Sequence, residues 1–90
     1  MNDAERAQIE EEIREVVATA TRASELGDKL FTSGGLFNRI AKTEQERRQI
    51  GATSLFREAQ ARHSELRRKE AAEFARAVTK LDKVHAQASH

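Results

Sequence analysis

Three histidines, His63, His85 and His90, are the side chains best suited to hold a metal or move a proton near neutral pH. Their spacing serves neither task. His85 and His90 lie five apart, where two ligands on one helix face need a separation of four. His63 stands beside Arg62, Arg67 and Arg68, which repel a cation. Cysteine is absent, which removes disulfides, zinc–thiolate sites and thiol nucleophiles together. Carboxylates are plentiful, but no pair stands among apolar residues as acid–base catalysis requires. Ser54, Ser64 and Thr79 have no histidine–acid arrangement at a supporting spacing. Gly34-Gly35 lacks the further glycines, the Lys-Ser/Thr step and the preceding strand of a phosphate-binding loop. The expectation is a protein that is not an enzyme and uses no metal or cofactor.

The remaining concentration of chemistry is basic charge. The net charge of +1 hides a gradient. Residues 1–15 hold six acids against Arg6 and Arg14, net −4, whereas residues 39–69 hold nine bases against Glu44, Glu46, Glu58 and Glu65, net +5. On a helix, Arg57 and Arg68 share one face, and Arg62 and Lys69 share another. A basic face of this kind can follow phosphates. Arg47, Arg48, Arg57, Arg62, Arg67, Arg68 and Lys69 are therefore the candidate nucleic-acid contacts. Against them stand the interleaved acids, the absence of Tyr and Trp for base stacking, and a pI of only 8.2. Solvated charge on a long helix, with the acidic arm lying beside the basic one, is the plainer account.

Such residues need elements to carry them, and the composition points to helix. Ala, Glu, Arg, Lys, Leu and Gln dominate, Pro is absent, and 34% of residues are charged. Of the 38% that are apolar, fifteen residues are Ala, so a core is possible but small. Ninety residues allow one domain, and residues 1–90 read as a single helical unit. No apolar run approaches the roughly 20 residues needed to span a bilayer. The acidic start, Met1-Asn2-Asp3-Ala4-Glu5, has no apolar run of a secretory signal. With no Cys, this suits a cytoplasmic, intracellular protein with no membrane contact.

Ile9, Ile13, Val16, Ala20, Ala23, Gly27 and Leu30 follow a 4-3-4-3-4-3 spacing, the stripe of a helix over about 3–31. Its small residues near the end predict close approach of another helix. Thr32-Ser33-Gly34-Gly35 forms the turn, 32–35, where glycine tolerates positive φ. Two apolar pairs, Leu30-Phe31 and Leu36-Phe37, flank it and are expected to plug the corner internally, or else to meet a partner through Leu36 and Phe37. A second helix follows over about 36–50, within which Thr43 and Glu46 fit a capping box. Gly51, with Thr53 and Ser54 as caps, predicts a break at 51–53, and a third helix runs over about 54–87.

The fold class that emerges is all-α: a helical hairpin or three-helix arrangement with long, partly coiled-coil-like helices. Phe74, Ala77, Leu81 and Val84, with Val78 beside them, form a regular stripe in the last helix. A first helix of this length cannot cover it if the region after the turn is one rod. Either the last helix folds back at the break, or Phe74, Val78, Leu81 and Val84 meet another protein or a second copy of the chain in a homodimer. The expected function is a non-enzymatic protein–protein interaction module: an adaptor, inhibitor, accessory subunit or assembly factor. The alternative is a nucleic-acid-binding accessory protein using the basic segment.

Overall fold

The computed structural model describes residues 2–88, all of whose regular structure is helical. Five helices are present: α1 (Asp3–Thr19), α2 (Ala23–Leu30), α3 (Leu36–Ile40), α4 (Glu44–Gly51) and α5 (Ser54–Ala88). His90 lies outside the described residues. No described helix is long and apolar enough to cross a membrane.

The expected helix over 3–31 is two helices, broken at 20–22. Its start is as the sequence reads, with Asn2 Oδ1 accepting the Glu5 backbone N–H at 2.8 Å. Toward the break, Val16, Val17, Thr19 and Thr21 are β-branched and weaken helix propensity. The Thr19 hydroxyl donates back to the Glu15 carbonyl at 2.8 Å. Ala20 (ψ 132°) and Arg22 (φ −127°, ψ 142°) are extended. The stripe survives the break: Ile13, Ala20, Ala23 and Leu30 are buried, and Ile9, Val16 and Gly27 half-buried. Heptad spacing therefore predicts which side chains face inward but not that the backbone between them stays helical.

The expected helix over 36–50 is also two. Ala41 leaves helical conformation (φ −133°, ψ 87°), and Thr43 restarts it. Thr43 Oγ1 accepts the Glu46 N–H at 3.1 Å and donates to Glu46 Oε1 at 3.0 Å, a side-chain variant of the capping box. α4 ends at Gly51 and α5 begins at Ser54.

The glycine corner works by sterics rather than by dihedral freedom, since no glycine among the described residues has positive φ. Gly35 is buried, and a Cβ there would stand 2.5 Å from the Leu30 carbonyl oxygen. A side chain at Gly34 would meet nothing within 4 Å. The close passage of the α3 entry over the end of α2 is what demands glycine, and only at position 35.

The Leu-Phe pairs flanking that corner form an internal plug. Leu30 and Phe37 are buried, and Phe31 and Leu36 half-buried. Phe31 stacks on Phe37 (centroids 5.7 Å, 13°), and both meet Phe56 edge-on at 5.8 and 5.0 Å. His63 closes the cluster, edge-on to Phe31 at 5.7 Å. Such pairs add about 0.5–1.5 kcal/mol each beyond burial. Phe37 therefore belongs to the core, and Leu36 is half-buried against it.

The body is small and the molecule long. It measures 68 × 23 × 21 Å, with a radius of gyration of 18.5 Å, where a compact chain of this length has about 12 Å. The length comes from α5, whose 35 residues extend about 52 Å at 1.5 Å each. It does not fold back.

Candidate interaction surface

α5 presents one face to the body through Leu55, Ala59, His63, Leu66 and Glu70, all buried or half-buried. α2 lies on that face antiparallel to it. Phe31, at the end of α2, meets Phe56 and His63, and a Cβ on Gly27 would stand 3.4 Å from His63 Nε2. At its start, the Ala23 N–H donates to Glu70 Oε1 at 2.8 Å. The small residues of the sequence stripe, Ala23 and Gly27, are where α2 approaches α5.

Two charged side chains of α5 hold the α1–α2 break. Arg62 Nη2 donates to the Ala20 carbonyl at 3.3 Å, at the C-terminal end of α1. Glu70 takes the first N–H of α2, which Arg22 as N-cap does not satisfy with its own side chain. A cation at a helix C-terminus and an anion at an N-terminus both complement the helix dipole. Sequence reading missed both roles. The available signal was the 4-3-4 spacing of Ala59, His63, Leu66 and Glu70, which puts a carboxylate at an inward position.

Beyond Glu70 the cover ends. Every residue from Ala71 to Gln87 is exposed. Alanines at 71, 72, 75, 77 and 86, with no Gly or Pro, keep this half helical by propensity. Phe74 is 72% exposed, Leu81 68%, Val84 62% and Val78 39%. They do not lie on a random side of the helix. From Ala59, His63, Leu66 and Glu70, steps of three and four lead on to Phe74, Ala77, Leu81 and Val84. The stripe is thus the outward continuation of the face that α2 covers. Three of the four phenylalanines meet in the ring cluster, and the fourth, Phe74, stands in solvent. Large apolar groups gathered in a row and left exposed make this the candidate interaction surface.

The structure divides the basic set. Arg62 is tied to Ala20 and to Glu65 (3.2 Å), and Arg48 to Glu44 (2.7 Å). Arg47, on α4, borders an apolar hollow lined by Phe31, Phe37, Ile50 and Phe56. Arg57, Arg67 and Arg68 are exposed on one side of α5, and no described residue forms a salt bridge with them. Lys69 is exposed on the opposite flank. Thr79 Oγ1 donates to the Ala75 carbonyl at 2.9 Å, an ordinary back-bond within the helix. Among the described residues, no three His, Cys, Asp or Glu side chains gather as a metal site would require. Comparison of the chain with protein-family models, with curated proteins and with solved structures finds no match in any of the three.

Proposed function

We propose that the protein is a non-enzymatic helical interaction module of the cytoplasm that offers the outer half of α5 to another helix. The observation that carries this reading is the exposed row Phe74, Val78, Leu81 and Val84 on the extension of the face α5 uses inside the body. A partner helix laid along that row would bury apolar area at about 25 cal/mol per Å² before the costs of association. α1 to α4 hold the base of α5, and the outer half is the working surface.

The test is affinity capture of the tagged protein from its native host, with and without nuclease, beside a Leu81→Glu variant. The reading expects a discrete polypeptide, another protein or a second copy, that survives nuclease and is lost with Leu81→Glu. Equal capture by both forms would overturn it. A second reading, nucleic-acid binding, draws support from Arg57, Arg67 and Arg68, exposed together on one side of α5. It expects affinity to fall steeply with salt, and a flat dependence would remove it.

A further inference from the structure

We propose that the outer half of α5 is covered by the same half of a second copy of this chain, running antiparallel about a two-fold axis level with Thr79. This rests on the interaction reading above and names the partner.

α2 decides the orientation. It occupies the inward face of α5 from Glu70 to Phe56, antiparallel to it. A second helix on Phe74 and Leu81 takes the same track, about 8–10 Å from α5. In a parallel, in-register pair, residues 56–70 of the second copy would run on into the space that α2 fills. In an antiparallel pair the second α5, described to Ala88, reaches only to the start of α2. Its Ala88 comes level with Glu70, beside Ala23. It and α2 then lie end to end on one face of the first α5, both antiparallel to it. The carbonyl end of one points at the N–H end of the next, a favourable dipole order. The second body lies beyond Ala88 of the first α5, clear of the first body. The two open tracks, 71–88, are equal in length, so each is covered up to the other's α2. This is a closed, isologous contact.

The side chains fit that register. Phe74 faces Val84 of the second copy, and Ala77 faces Leu81, so the largest groups oppose smaller ones in every layer, as interdigitation requires. Val78 approaches its own copy near the axis. On the other flank, Glu73 comes within side-chain reach of Lys83, and only Lys80 meets its like.

The absence of cysteine permits single-site labelling of the full chain. Sedimentation equilibrium should show the mass double with concentration. Leu81→Glu should raise the dissociation constant about a hundredfold or more, because two carboxylates would enter an apolar seam. Spin labels at Ser64→Cys, in the body, should lie about 45 Å apart, and labels at Thr79→Cys, level with the axis on the outer faces of the pair, within about 30 Å. A chain still monomeric at about 1 mM would overturn self-pairing, as would short distances at both labels, which report a parallel pair. A monomer that nonetheless captures a foreign protein through Leu81 would overturn self-pairing alone and leave the interaction reading standing. A monomer that captures nothing would remove both.

Discussion

The Glu70 carboxylate accepts the backbone N–H of Ala23 at 2.8 Å, across 47 residues of chain. This one bond places the start of α2 level with the point where α5 leaves the body. It also explains how α2 begins without a capping side chain of its own.

Glu70→Ala should therefore cost about 1–2 kcal/mol, the loss of a helix cap in a half-buried setting. Glu70→Gln keeps an acceptor and loses the charge, so it should cost less, about 0.3–1 kcal/mol. Urea unfolding of the three proteins checks the order. Amide exchange at Ala23 and Leu26 should quicken in Glu70→Ala, while exchange in α4 stays unchanged.

Two glycines should respond in opposite directions. A Cβ on Gly35 would stand 2.5 Å from the Leu30 carbonyl oxygen and 2.6 Å from its carbon, so backbone must move. Gly35→Ala should destabilise by about 2 kcal/mol or more, in the range of overpacking. On Gly27 the nearest atom is the tip of the His63 side chain at 3.4 Å, an ordinary contact. Gly27→Ala should instead stabilise by about 0.5–1 kcal/mol through helix propensity. Thermal melts distinguish the two, and a destabilised Gly27→Ala would show that α2 and α5 are closer packed than this distance indicates.

The legible and illegible parts of the fold divide along physical lines. Inward positions were legible because they obey the 3.6-residue period: Ile13, Ala20, Ala23 and Leu30 are buried as their spacing predicts. The break at 20–22 was not, because its stability lies in Arg62 and Glu70, more than 40 residues away in sequence. Local propensity only permits that break. At 41–43 the sequence held the restart signal, Thr43 with Glu46, but not the extended Ala41 that precedes it. The exposed stripe was legible as a stripe. Whether it was covered depended on how far α2 reaches along α5, a tertiary fact set by the Ala23–Glu70 bond.

The Thr43 cap is exposed and local, so its removal should be felt nearby and not beyond. Thr43→Ala should cost about 1 kcal/mol, the usual loss for an N-cap hydroxyl. Exchange of the α4 amides should rise, with α2 and α5 unaffected. A cost near zero would mean that packing of the buried Ile50, rather than the cap, holds α4 in place.

Leu66 and Leu81 offer the sharpest contrast, being the same residue on nearly the same face of the same helix, with exposures of 2% and 68%. Leu66→Ala removes buried methyl groups from the core and should cost about 2–5 kcal/mol at any protein concentration. Leu81→Ala touches nothing in the isolated chain and should shift the stability of dilute protein by less than about 0.5 kcal/mol. At high concentration the two should part again. A chain that binds its own copy only when folded gains stability by mass action, so the wild-type Tm should climb with concentration. Leu66→Ala should lower that curve without flattening it. Leu81→Ala should flatten it, because the lost contacts lie between copies and not within one. A wild-type Tm independent of concentration would place Leu81 outside any self-contact, whatever its exposure.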